Sequence, residues 1–197
     1  MARVRGQVDE TKTEAILEAA QTLFAAQGGG VSMEAIARRA GVSRQTLYNR
    51  FSSKLEIGKA LASRRMDAIS APLRGGGDPE TVLTTLAALL LDKICGEDGK
   101  TSMRGVALMS PQAPEVTRAI YEAGPGESLR RLSAWLAEKD RTGVLAVPDP
   151  DAAAEMFAGM VLGHGHLRGV LGVPHPPFDR DARAAETARR FLRAFAP

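Results

Sequence analysis

Residues 32–54 read SMEAIARRAGVSRQTLYNRFSSK, and this stretch decides the fold. Ser32 supplies a side-chain oxygen where a helix starts, and Met33, Ile36, Ala37 and Ala40 then recur on one helical face. Ala40-Gly41-Val42 interrupts the pattern, with Gly41 free to take the positive φ that a sharp corner needs. Ser43 caps a second short helix that runs to about Arg50, and Ser52-Ser53-Lys54 opens a third. Met33, Ile36, Ala37, Val42, Leu47 and Phe51 point to one shared interior, with the small Ala37 where two helix axes must approach closely. The spacing predicts two helices of about two turns meeting at a glycine corner.

What the corner leaves outside is polar and specific in type. Arg44, Gln45, Thr46, Tyr48 and Asn49 fall on the outer surface of the second helix. Arginine can bind guanine through two hydrogen bonds, glutamine can bind adenine, and threonine can touch a thymine methyl. Ser32 and Ser43 lie at helix starts, where hydroxyls and free N–H groups favour a phosphate, and Tyr48 and Lys54 can hold phosphates further along. The expected partner is double-stranded DNA. The bland alternative is a helical corner with a solvated polar face.

Outward from this stretch almost everything reads as helix. Residues 11–27 carry Ile16, Ala19, Ala20, Leu23 and Phe24 at helical spacing and stop at Gly28-Gly29-Gly30. A fourth helix runs from Lys54 to about Ser70. Asp78-Pro79 and Asp149-Pro150 are N-caps followed by proline, starting helices to about Cys95 and about Leu171. Shorter helices are expected at residues 102–109 and 113–123. Another, with Leu129, Leu132, Trp135 and Leu136, runs to Lys139, and Asp179 caps a last one ending near Phe195. Period-two strand signals are missing. The expectation is an all-α chain of about nine helices: a three-helix head in residues 1–54, a connecting helix at 54–70, and a second helical domain at 71–197.

The head matches a known pattern. Ile36-Ala37, Gly41-Val42-Ser43, Thr46-Leu47-Tyr48, Asn49-Arg50, Phe51 and Ser53-Lys54 closely resemble the helix-turn-helix signature of the TetR/AcrR family of bacterial transcription regulators. The resemblance covers roughly residues 11–70. Asn49 stands where many members carry His, and Arg44-Gln45 replaces a commoner basic-Gly or basic-Ala pair, departures that bear on which operator is read. Residues 114–171 and the ending Phe191-Leu192-Arg193-Ala194-Phe195 are similar to C-terminal domains of AcrR-like members. The resemblance implies a homodimer on near-palindromic operator DNA, released by a small-molecule inducer, with repression the usual outcome. A helical ligand-binding protein without specific DNA activity is the rival.

Composition agrees with a globular chain. Of 197 residues, 44% are apolar and 25% charged, and no apolar run reaches the ~18 residues of a membrane span. The basic start, with Arg3 and Arg5, lacks the apolar segment of a signal peptide, so a cytoplasmic protein is expected. That arm reads as a basic tail adding non-specific attraction, with minor-groove insertion the less favoured account. The net charge of +3 is unevenly spread: residues 1–74 hold 12 Lys and Arg against 7 Asp and Glu. An anionic partner is therefore expected at the head.

The second domain yields weaker signals. On a helical wheel, Met156, Phe157, Met160, His164 and Leu167 share one face, and Ala158, Leu162, Gly165 and Gly169 the opposite one. The first face is expected to look into the domain and the second to form the dimer seam, with Ala184, Ala188 and Phe191 of the last helix. Both faces buried within a monomer is the alternative. Met103, Met109, Tyr121, Trp135, Phe157 and Met160 are candidates for an adaptable apolar ligand pocket, with His164 as a polar handle, against plain core. No cofactor or metal is expected. His164 and His166, two residues apart on a helix, diverge too far to share an ion. Residues 96–101 resemble a P-loop end without its first glycine or preceding strand. Cys95 reads as a buried structural thiol, and the chain is not expected to be an enzyme.

Overall fold

A computed structural model describes residues 5–27, 30–96 and 114–197. Those residues form helices α1 (Arg5–Gln27), α2 (Met33–Arg39), α3 (Arg44–Tyr48), α4 (Lys54–Ile69), α5 (Pro79–Cys95), α6 (Pro114–Ala123), α7 (Pro125–Arg141), α8 (Pro150–Leu162), α9 (Gly165–Leu171) and α10 (Arg180–Ala194), with a 3-10 turn at Ala71–Arg74. No strand occurs among the described residues, and the fold is all-α. The helix expected at 102–109, Met103, Met109, Arg3, the Cys95 side chain and most of the P-loop-like stretch lie outside what is described. Arg5 begins α1, so it is the first residue of a helix rather than part of a tail.

Local chemistry starts most helices. Asp78, Asp149 and Asp179 each accept a hydrogen bond from the backbone N–H three residues on, and proline follows the first two. The apolar faces then build two clusters. Ile16, Ala20, Ile36, Ala37, Leu47, Phe51 and Ile57 form one, with Leu61 packed against it. Met66, Ile69, Leu83, Leu136, Phe157 and Phe191 belong to the other. Helix α4 contributes to both, its first half to one core and its last turn to the other. In the larger cluster α10 lies along α5, and Phe157 meets Phe191 edge to face at 5.1 Å.

One expected helix is two. Residues 150–171 break at Gly163, whose φ of +49° and ψ of −135° suit glycine alone. An added Cβ there would also lie 2.9 Å from Arg183 Nη2. His164 is consequently the exposed residue preceding α9, rather than part of a continuous helical wall.

Candidate nucleic-acid interface

The corner between α2 and α3 is assembled from short-range bonds. Ser32 Oγ accepts from Ala35 N at 3.1 Å to start α2. At its end Gly41 adopts φ +65°, and Val42 N donates to Ala37 O at 3.0 Å, which turns the chain over Ala37. Ser43 Oγ accepts from Thr46 N at 3.0 Å and pairs with Thr46 Oγ1 at 2.8 Å, fixing the start of α3. Leu47 and Phe51, both buried, pin α3 to the core beneath. Ser53 caps α4 through Glu56 N.

With Leu47 inward, the rest of α3 faces out. Arg44, Gln45, Tyr48 and Asn49 are exposed, Thr46 is half-buried, and Lys54 is exposed at the first position of α4. Asn49 is the residue that closes α3 rather than part of its interior. These side chains are ordered by neighbours. Arg44 Nη2 lies 2.6 Å from Glu34 Oε1, and Gln45 Nε2 donates to Asn49 Oδ1 at 2.8 Å. Arg50 Nε donates to Thr13 Oγ1 of α1 at 3.3 Å, and its Nη1 to Thr46 O at 3.4 Å, so the end of α3 is tied to the helix behind it. Sequence periodicity missed Glu34 and Arg50, because each partner is brought up by the corner or by another helix.

The second domain corrects several expectations. Met156 is 58% exposed, Met160 40% and Leu167 46%, so the face expected to look inward looks out, Phe157 excepted. Ala153, Ala154, Phe157 and Val161 face the core instead, a rotation of roughly 70° about the helix axis. Gly165, Gly169, Ala184, Ala188 and Phe191, expected at a dimer seam, are buried within the chain, while Ala158 and Leu162 are half-buried. Small residues line the inner side of the helix as well as its outer side, so residue size does not mark the buried face. The pocket candidates are not brought together either. Trp135 and Phe157 are core residues, Tyr121 is 53% exposed, and Met160 and His164 lie on the outside.

Two ion pairs, one to each domain, hold the C-terminal half of α4. Glu14 Oε1 of α1 meets Arg64 Nη2 at 2.6 Å, and Asp67 Oδ1 meets Arg131 Nη1 of α7 at 2.6 Å. Arg131 Nε also donates to Glu127 Oε1 at 2.7 Å. Hydrogen bonds to Glu127 and then Asp67 raise the Arg131 pKa above the usual arginine value, outweighing desolvation. The buried Gly124 sets the α6–α7 turn against α4, where an added Cβ would lie 3.7 Å from the Ala62 Cβ. Trp135, one turn beyond Arg131 on α7, is buried beneath Lys139, whose Nζ sits 5.2 Å from the ring centroid.

Among the described residues no helix is long and apolar enough to cross a membrane. Comparison with curated proteins finds no match. Residues 16–61 match the family model for bacterial regulatory proteins of the tetR family, and residues 81–197 that for the C-terminal domain of AefR-like transcriptional repressors. Solved structures agree over nearly the whole chain. A TetR-family transcriptional regulator from Mesorhizobium loti MAFF303099 is 25% identical, with a TM-score of 0.79 over 99% of this chain and all of its own. The flavonoid-responsive regulator FrrA is 31% identical, with a TM-score of 0.70 over 94% of this chain and 97% of its own. A regulator from Agrobacterium tumefaciens, 22% identical, shares the fold with a TM-score of 0.73 over 93% of this chain and 94% of its own. With a capped helix-turn-helix head joined through α4 to an AefR-like helical domain, the chain belongs to the TetR family, whose members are DNA-binding transcriptional regulators rather than enzymes.

Proposed function

We propose that this regulator is a repressor that binds a near-palindromic operator as a homodimer and leaves it when a small molecule enters the C-terminal domain. The observation that carries this reading is the outer face of α3: Arg44, Gln45, Tyr48 and Asn49 are exposed on a helix pinned from below by Leu47 and Phe51. Arg44, Gln45 and Thr46 read base edges, while Ser32, Ser43, Tyr48, Asn49 and Lys54 position the backbone. Residues 1–54 are the reading head, α4 the connector, and residues 71–197 the regulatory and dimerising domain. Action on a bacterial operator places the protein in the cytoplasm.

The seam belongs on the apolar surface that the chain leaves uncovered. Met156, Met160, Leu167, Leu171 and Val173 are all exposed on or just after α8 and α9. A second copy covering that surface places two heads on one side of the duplex, about a helical turn or a multiple apart. The inducer is an apolar, aromatic-sized molecule, a class suggested by the flavonoid response of FrrA. It acts beside Trp135, from which α7 leads one turn back to Arg131 and through Asp67 to α4. It must favour the DNA-incompetent arrangement, and operator must then weaken inducer by the same factor.

Selection from a random duplex pool tests the reading. The full-length protein should enrich one inverted repeat. Arg44→Ala should lose about 1–3 kcal/mol of discrimination, and Lys54→Ala should weaken all sequences alike and lower the salt slope by about one. Failure to enrich any sequence refutes it in favour of a helical ligand-binding protein.

A further inference from the structure

The outer face of α3 is a set of tied pairs, and one member of those pairs belongs to another helix. Gln45 is held by Asn49 and Thr46 by Ser43, all within the α3 turn itself. Arg44 is held across the corner by Glu34, in the first turn of α2. Both side chains are largely exposed, 68% for Arg44 and 47% for Glu34, so nothing in the core requires the pair. Resting on the DNA-reading role of α3, we infer that Glu34 is a positioning residue for operator choice.

The physical case has two parts. Arginine is a long side chain with much rotamer freedom, and a guanidinium that must meet a guanine edge through two parallel hydrogen bonds loses that freedom on binding. A carboxylate 2.6 Å from Nη2 restricts the guanidinium beforehand and takes one Nη2 hydrogen, while the other Nη2 hydrogen, beside Nη1 or Nε, still presents two parallel donors to the base. The same carboxylate carries negative charge on the unit that approaches the DNA backbone. It opposes binding wherever Arg44 finds no guanine, because repulsion from phosphate is then not offset by a base contact. Glu34 therefore lowers affinity for arbitrary DNA and raises it for the matching site. Discrimination is the product.

Two duplexes measure this: the sequence enriched by the wild-type protein from a random pool, and a shuffled version of it. Glu34→Gln should reduce the ratio of their affinities by about 1.5-fold to fivefold, the range of an exposed ion pair. Binding to the shuffled duplex should be unchanged or tighter. In an Arg44→Ala background the same substitution should leave the ratio unaltered. Glu34→Asp, which keeps the charge but withdraws the carboxylate by one methylene, should fall in between, and it repeats the test should the glutamine variant melt early. An unchanged ratio, equal weakening of both duplexes, or the same drop without Arg44 would each overturn the inference and leave the DNA-reading role standing. Should the wild-type protein enrich no sequence, both fall together.

Discussion

Gly163→Ala gives a change of sign that separates two structures of the same segment. Within the continuous helix read from the sequence, alanine for glycine would stabilise by roughly 1 kcal/mol. At a φ of +49° and ψ of −135° the same substitution forces an L-residue into backbone space that glycine alone occupies readily, at a cost of about 1–3 kcal/mol. The new Cβ meets Arg183 Nη2 at 2.9 Å, but that is the tip of a flexible side chain, so the contact adds little beyond displacing Arg183 from Phe178, over which its guanidinium stacks at 5.0 Å. The net expectation is destabilisation by about 2 kcal/mol. For a chain of this size that lowers the melting temperature by roughly 4–8 °C. Thermal unfolding followed by circular dichroism, at one fixed protein concentration, reads it directly. An unchanged or higher melting temperature would refute the break at Gly163 and restore a single helix through residue 171.

Met160→Glu, placed on the uncovered apolar surface, should convert the dimer to a monomer in light scattering with helix content unchanged; a persisting dimer would move the seam elsewhere. Asp67→Asn removes the partly exposed ion pair to Arg131, so amide exchange in the last turns of α4 should quicken by about twofold to fivefold, and no change there would show that the pair does not hold the connector. Glu186 accepts hydrogen bonds from Arg190 and Arg189, which lower its pKa from 4.5 to about 2. Its contribution to stability is therefore complete above pH 4.5 and is lost as the pH falls from there towards 2. A carbon-detected NMR titration with its midpoint near 4.5 would remove that pairing, and Arg190→Ala should raise the midpoint in the intact case.

The parts that were legible in the sequence are those fixed by neighbours in the chain. Ser32, Ser43, Asp78, Asp149 and Asp179 announce helix starts because a cap bonds only three residues ahead. Gly41 announces a corner because a buried pattern flanks it on both sides. Gly163 is hidden for the opposite reason: Met156, Met160, His164 and Leu167 keep a helical spacing across it, and only its backbone angles reveal a break. The inward arc of α8 is not legible because alanine, glycine and methionine there carry little contrast, and burial is settled by α5, α7 and α10 rather than by the helix alone. Glu34 stayed hidden since its partner lies ten positions away, across a turn whose geometry brings the two together.

The division of α4 between two cores sets where this protein can be recombined with a relative. Ile57 and Leu61 belong to the head, as does Arg64 through Glu14, whereas Met66 and Ile69 belong to the second domain, as does Asp67 through Arg131. For these core and ion-pair residues allegiance changes within two residues, between Arg64 and Met66, although Ala62 on another face already lies against the α6–α7 turn. A graft cut at the loop after α4 would carry foreign side chains into the larger core, and one cut at Ser53 would strip the head of Ile57. The modular joint is thus a point inside a helix, and exchange of heads between such proteins is a matter of helical phase rather than of linker length.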